Sequence, residues 1–329
     1  MKVLIIGLGS MGRRYLRLLK EMKPVEIIGL KSSRKEIDKK HYECHGIKLA
    51  SDIHQAVGIR PDFAIISNPT SLHVESALVL AETGIPFLIE KPVSDNMDRL
   101  DVLLDIVKEK SLKVMVGFQL RQHPGYKRVK KIIKSGDIGK PLSLQGYVGQ
   151  YLPDWRPNAD YKQTSSARKD LGGGVILDLC HEIDIAISLL GSVARLSCFC
   201  DHYSNLEINT EDLADIILVH KDGCQSHIHL NYLERNYAWT TRITGDKGTV
   251  IWDYGKGFVE LTLPGDKSTR WEDPEGFERD DLFRAQLCQW FNVLESGMKP
   301  SVELQEGIEV TRVAVSAKIS SQERRYFEL

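Results

Sequence analysis

Hydrophobic and polar positions alternate in two different rhythms along this chain. Up to residue 118, short apolar runs at Lys2–Ile6, Val25–Leu30, Phe63–Ser67, Phe87–Glu90 and Lys113–Phe118 read as buried strands. Between them, Met11–Met22, Leu72–Thr83 and Met97–Lys110 repeat apolar residues at helical spacing. Strands alternating with helices of this length predict right-handed βαβ units and a parallel sheet.

The rhythm then changes, with a boundary near Gln119–Pro124. A helix at Gly125–Lys134 precedes a polar, aromatic loop at Tyr151–Lys169 and a glycine-opened helix at Gly172–Leu190. Strand-like runs follow at Val193–Cys200, Leu213–His220, Cys224–Tyr232, Trp239–Gly245, Gly248–Trp252 and Phe258–Leu263. Turn signals such as Asp222-Gly223 and Pro264-Gly265 separate several of them, which predicts a largely antiparallel sheet. Helices at about Glu278–Leu294 and Leu304–Ser321 close the chain. The expected fold is therefore α/β, with a dinucleotide-binding domain at 1–120 and an α+β domain carrying an open, mainly antiparallel sheet at 121–329. A length of 329 residues suits two cores rather than one.

Composition narrows the partners. A formal net charge of −1 gives no electrostatic reason to expect nucleic acid or an anionic membrane. No run approaches a membrane span, and Val3–Ile6 is too short for the apolar region of a secretory signal, so the cytoplasm is the expected compartment. The six cysteines form no CxxC pair, and reduced thiols are expected. His41/Cys44/His45 and His227/His229 are weak metal candidates; the second is read more simply as a strand face, and no metal is expected.

The first chemical signal is Gly7-Leu8-Gly9-Ser10-Met11-Gly12, a GxGxxG at the turn from the first strand into the first helix. Glycines there permit a tight turn, close backbone approach to a pyrophosphate, and close helix–strand packing. The amides of Ser10, Met11 and Gly12 would begin the helix that faces the phosphates. The second strand ends in Lys31-Ser32-Ser33-Arg34, without the acidic residue that usually accepts from an NAD ribose. A cation, two hydroxyls and a guanidinium suit the 2′-phosphate of NADP, with NAD the other cofactor considered and solvated loop residues the plain alternative.

Two further constellations carry chemistry. Glu90-Lys91-Pro92 ends the fourth expected strand, where open parallel sheets bind ligands, so Lys91 is a candidate proton donor or acceptor. In Gly172–Asp184, helical spacing puts Asp178, His181 and Asp184 on one face and Ile176, Leu179 and Ile183 on the other. That face is either proton-handling machinery or a polar surface meeting water. Before it lie Tyr151, Trp155, Arg156, Tyr161 and Arg168, aromatic rings beside arginines that suit a sugar bearing a carboxylate or phosphate, or else a covering loop.

These motifs, together with Asn68-Pro69-Thr70 and His73, occur in an order and spacing that resemble the Gfo/Idh/MocA oxidoreductases over nearly the whole chain. The resemblance implies a Rossmann domain, a second domain whose sheet mediates homodimers or homotetramers, and a sugar-like substrate. It also implies that Asn68, Pro69, Thr70, His73, Glu90 and Lys91 join the glycine turn in cofactor binding, with Lys91 and His181 facing the nicotinamide and Asp178 a further catalytic candidate. Many members carry that aspartate four residues before the histidine; here Asp178 precedes His181 by three. Three activities fit the resemblance: a sugar or polyol dehydrogenase, an enzyme that cycles a retained nicotinamide to give epimerisation or glycoside cleavage, and a non-catalytic dinucleotide sensor.

Overall fold

A computed structural model of the chain describes residues 1–31, 42, 46–265 and 267–329. It contains two compact units, Met1–Gln119 with Arg279–Glu309, and Leu120–Glu278 with Val310–Leu329.

In the first unit, strands β1 (Lys2–Ile6), β2 (Glu26–Leu30), β3 (Lys48–Ala50), β4 (Phe63–Ile66), β5 (Phe87–Ile89) and β6 (Val114–Val116) form one sheet in the order β3-β2-β1-β4-β5-β6. Every pairing is parallel. Helices cover both faces of such a sheet, which is why these strands are continuous apolar runs rather than alternating ones. The strand order reverses between β1 and β4, and ligands of doubly wound sheets bind beyond the strand ends at that reversal. Helices α1 (Ser10–Met22), α2 (Ile53–Gly58), α3 (His73–Thr83) and α4 (Leu100–Glu109) supply the crossovers among the described residues.

The expected division at residue 121 needs one correction. Residues 279–309 cluster with the first unit. Phe283, Leu287, Trp290 and Phe291 pack with Val3, Tyr15, Leu18 and Phe63 in one buried cluster, so a later segment completes the first core.

The second unit begins with α5 (Pro124–Ser135) and is built on a nine-stranded sheet. Its strands are β7 (Pro141–Gly149), β8 (Val193–Asp201), β9 (Leu213–His220), β10 (Gln225–Asn231), β11 (Ala238–Gly245), β12 (Thr249–Asp253), β13 (Phe258–Leu263), β14 (Lys267–Glu272) and β15 (Phe327–Glu328). Their order is β14-β13-β12-β11-β7-β10-β9-β8-β15, antiparallel except where β10 meets β7. One face alternates inward: Ala214, Ile216 and Leu218 of β9 are buried, while Ile217 between them is exposed, as is Phe199 of β8.

The glycine-opened helix is not continuous. It breaks into α6 (Val175–Asp178) and α7 (His181–Leu190), joined through Leu179 and Cys180. Its polar residues do not form a wet stripe either: His181, Glu182 and Asp184 are buried together with Ile183, Ile185 and Ala186. Later helices are α8 (Arg279–Ser296) and α9 (Leu304–Glu323). No helix among the described residues is long and apolar enough to cross a membrane.

Candidate active site

The glycine turn of the first unit assigns a separate physical role to each glycine. Gly7 has φ +94°, and a Cβ there would stand 2.4 Å from the Asn68 amide nitrogen. A Cβ on Gly12 would come within 1.8 Å of the Gly7 carbonyl oxygen. Gly9 faces open space, with nothing within 4 Å of its Cβ position. Packing thus requires Gly7 and Gly12, whereas Gly9 leaves room for a ligand to approach the backbone. The first-turn amides of α1 at Ser10, Met11 and Gly12 lack acceptors within the helix, and no acidic side chain sits in that turn. These residues fit a dinucleotide pyrophosphate. Lys31 follows Leu30, whose carbonyl accepts from the Gly7 amide at 2.8 Å. Ser32, Ser33 and Arg34, like His41, Cys44 and His45, lie outside the described residues.

Beyond β4, Asn68 donates through Nδ2 to Ser76 Oγ at 3.0 Å and to the Leu72 carbonyl at 3.3 Å. Its Oδ1 is buried with no hydrogen-bond partner, an acceptor left for a bound group. Pro69 and Thr70 lead into a single tight turn, Thr70–Leu72, ahead of α3.

His73 and Glu90, both expected to join cofactor binding, are engaged by protein groups. The His73 ring lies 2.9 Å from the Pro92 carbonyl through Nδ1 and 2.9 Å from the Asn68 carbonyl through Nε2. Burial lowers its pKa to about 4, so the ring is neutral and donates to one of these carbonyls at a time. It ties the loop after β4 to the loop after β5. Glu90 Oε1 accepts from Tyr15 Oη at 2.5 Å, and Tyr15 Oη accepts from Gln286 Nε2 at 2.8 Å. Glu90 Oε2 accepts from the Lys91 amide at 3.3 Å. Burial pushes the Glu90 carboxyl up and, reinforced by that carboxyl, the Tyr15 phenol well up. The glutamate is therefore an anchor under Lys91, which itself remains partly exposed at the end of β5.

In the second unit, the break between α6 and α7 separates three acidic residues into three environments. Asp178 Oδ2 accepts from Tyr232 Oη at 2.7 Å. Burial, then the adjacent Asp178, pushes the Tyr232 phenol well above its ordinary value, so it stays a donor. Asp184 takes a forked pair from Arg121, with Nη2 at 2.6 Å and Nε at 3.1 Å, both residues buried. Glu182 accepts from the Trp239 indole and, at 3.3 Å, from Thr241 Oγ1; burial raises its pKa to about 8, leaving it uncharged at neutral pH. The His181 and Trp239 rings pack with centroids 5.9 Å apart.

The aromatic loop divides in two. Trp155 packs at right angles to Tyr232 at 5.2 Å and donates to the Gln150 carbonyl, and Arg156 acts electrostatically on the Tyr232 phenol. Tyr151 lies under the Arg235 guanidinium, 3.5 Å from its ring centre. Tyr161 and Arg168, expected to bind substrate, bond neighbouring protein groups. The Tyr161 hydroxyl accepts from the Glu207 amide at 3.2 Å, and Arg168 forks onto Asp170 with Nε at 3.0 Å and Nη2 at 2.5 Å. Two of the Arg168 donors are thereby engaged by a neighbouring carboxylate. His227-x-His229 lies along β10, where His229 bonds Asp215 at 2.7 Å and stacks on Tyr147.

Tyr15, Gln286, Tyr232, Glu182, Trp239 and Arg121 were missed from sequence. The one available signal was acidic crowding: Asp178, Glu182 and Asp184 are more carboxylates than a short stretch bounded by apolar residues can leave unpartnered.

A parallel sheet with a phosphate-fitting glycine turn, followed by an open-sheet unit, defines a dinucleotide-dependent oxidoreductase. Residues 1–118 match the oxidoreductase family with NAD-binding Rossmann fold, and residues 126–251 match the GFO/IDH/MocA C-terminal domain. The chain belongs to the Gfo/Idh/MocA family and is an enzyme of its NAD-binding oxidoreductase class. It is 25% identical to myo-inositol 2-dehydrogenase of Thermotoga maritima over 100% of this chain and 98% of that protein. It is 24% identical to the uncharacterized oxidoreductase YrbE of Bacillus subtilis, over 96% of this chain and 93% of that protein. Among solved structures, levoglucosan dehydrogenase in complex with NADH and levoglucosan superposes with a TM-score of 0.86 at 20% identity, covering 100% of this chain and 99% of that one. An oxidoreductase from Agrobacterium radiobacter, in complex with NAD+, L-tartaric acid and magnesium, gives 0.86 at 21% identity, covering 100% and 98%.

Proposed function

We propose that this enzyme interconverts a secondary alcohol and a ketone on a sugar, sugar acid or nucleotide sugar. The observation that carries this reading is the cluster in the second unit, where Tyr232 bonds Asp178, packs against Trp155 and feels the charge of Arg156. A carboxylate can accept from ring hydroxyls, an indole can cover an apolar sugar face, and a guanidinium can hold a carboxylate or phosphate. Names among the relatives, inositol and levoglucosan dehydrogenases, agree with a polyhydroxylated ring.

The bound nicotinamide supplies hydride transfer. Lys91 donates to the substrate oxygen or takes its proton, fixed from beneath by Glu90. His181 is the second proton-handling group, and Asp178 orients the substrate. Of the two dinucleotides, NADP is the proposed preference, because Lys31 follows β2 where an acidic residue would select NAD. Assembly into homodimers or homotetramers is assigned to the face of the second sheet that exposes Phe199 and Ile217, and the compartment to the cytoplasm.

The test is a panel of inositols, sugar acids and nucleotide sugars with both dinucleotides, following nicotinamide absorbance. Lys91→Met is expected to lose turnover by about 10²-fold or more, the scale of a general acid–base group, while dinucleotide affinity is retained. Near-normal turnover of the variant at saturating substrate would overturn the role of Lys91. Equal dissociation constants for NAD and NADP would overturn the cofactor preference.

A further inference from the structure

Glu182 is placed where a carboxyl group is expensive. It is fully buried, next in sequence to His181, and no cation pairs with it. The fold has nonetheless made a seat for it. Gly146 of β7 and Thr241 of β11 are cross-strand partners. A Cβ on Gly146 would stand 2.3 Å from Glu182 Oε2, so any larger residue there would evict the carboxyl. Thr241 Oγ1 donates to the same oxygen at 3.3 Å, and the other oxygen accepts from the Trp239 indole. Two residues before Thr241 on the same strand, Trp239 turns one face of its ring toward His181, with centroids 5.9 Å apart and planes inclined at 45°. It also packs against two aromatic rings, Tyr254 at 5.0 Å and Tyr237 at 6.5 Å. The Glu182 bond is the specific polar tie in an otherwise slippery stack.

We propose that Glu182 is a positioning residue: it clamps Trp239 against the His181 imidazole and so fixes the orientation of that ring. The proposal rests on the reading of His181 as a proton-handling group. An imidazole that must present one nitrogen to a substrate loses effectiveness when its ring can rotate, and small misplacements of reacting groups cost rate rather than affinity. An apolar residue would fill the space under His181 equally well. Only a side chain that accepts from an indole N–H sets the angle of the tryptophan. Asp184, two residues on, is instead held by the Arg121 guanidinium.

The experiment uses the full chain in four forms, Glu182→Gln, Glu182→Leu, Trp239→Phe and the Leu/Phe double variant, with His181→Ala as reference. Gln keeps the acceptor, so Glu182→Gln is expected within about threefold of the parent. Glu182→Leu and Trp239→Phe are each expected to lower kcat about tenfold or more, with KM for the dinucleotide unchanged. The double variant should be no worse than the poorer single one, because both break the same link. With ¹³C-labelled histidine, the ring-current-shifted His181 signal should move in Glu182→Leu and stay in place in Glu182→Gln. If Glu182→Leu fails to fold, Trp239→Phe alone decides the matter. Parental kcat in Trp239→Phe or Glu182→Leu alongside an inactive His181→Ala would overturn the clamp while leaving the role of His181 standing, as would multiplicative losses in the double variant. An active His181→Ala would overturn both.

Discussion

At the scale of single residues, partners decide chemistry. Arg156 and Arg168 look interchangeable in the sequence, each lying in the polar, aromatic loop ahead of His181. Arg168 is already neutralised by its fork onto Asp170, whereas Arg156 directs its charge toward the Tyr232–Asp178 pair. Substitution should separate them. Arg156→Ala is expected to lower kcat/KM for an acidic sugar by roughly tenfold or more, the scale of a charged hydrogen bond, and to affect a neutral polyol far less. Arg168→Ala should leave both substrates close to parental values, because its exposed pair with Asp170 is worth little. Steady-state kinetics on one charged and one neutral substrate distinguish the two arginines. Equal losses at Arg156 for both substrates would show that it shapes the loop and holds no anion.

Elements were legible in proportion to how local their causes are. The strand–turn–helix of β1 and α1 was readable because GxGxxG, the apolar run and the helical spacing are all within a few residues. The strand β7 was missed, since Gly146 and Gly149 weaken its pattern for reasons lying on other elements: Glu182 occupies the space over the first, Asn231 and Glu234 that over the second. The break between α6 and α7 was missed for the same reason. Nothing in Leu177–Glu182 stops a helix; its Asp178 and Glu182 bond Tyr232 and Trp239, both distant in sequence. The glycine turn also yields a test at this scale. Gly12→Ala drives a methyl into the Gly7 carbonyl and should destabilise the first unit by about 1–3 kcal/mol, the usual cost of overpacking. Gly9→Ala meets no protein atom and should leave Tm unchanged, yet weaken dinucleotide binding, because its methyl occupies the approach of the pyrophosphate. Calorimetry and dinucleotide titration on the two variants check this; a Gly9→Ala protein that binds normally would place the pyrophosphate elsewhere.

For the whole molecule, three buried groups with displaced pKa values give stability a defined dependence on pH. In the first unit, His73 is held near 4, chiefly by burial. In the second, His123 is also held near 4 by burial; its Nδ1 caps α5 by accepting from the Gly125 amide at 2.9 Å, an acceptor that protonation would destroy. For each histidine the unfolded chain takes up a proton near 6.5 that the folded chain refuses, so stability is lost as pH falls from about 6.5 to 4, at up to about 1.4 kcal/mol per pH unit. Glu182 works in the opposite sense. Its folded pKa of about 8 exceeds the ordinary 4.5, so the stability it confers is complete below 4.5 and is lost as pH rises toward 8. Between 4.5 and 6.5 the two histidines outweigh the glutamate, and above 6.5 the glutamate acts alone among the three. The combined contribution of these three groups is therefore greatest near pH 6.5. Glu182→Gln removes the share of the alkaline decline that Glu182 causes, so its stability relative to the parent should grow by roughly 1.4 kcal/mol per unit between pH 6.5 and 8. Asn at position 123 can still cap α5 without titrating, so His123→Asn should flatten the acid limb of the second unit and leave that of the first. Urea unfolding followed from pH 4 to 9 measures all three curves. A stability difference between parent and Glu182→Gln that stays flat from pH 6.5 to 8 would mean that Glu182 is ionised in the folded enzyme.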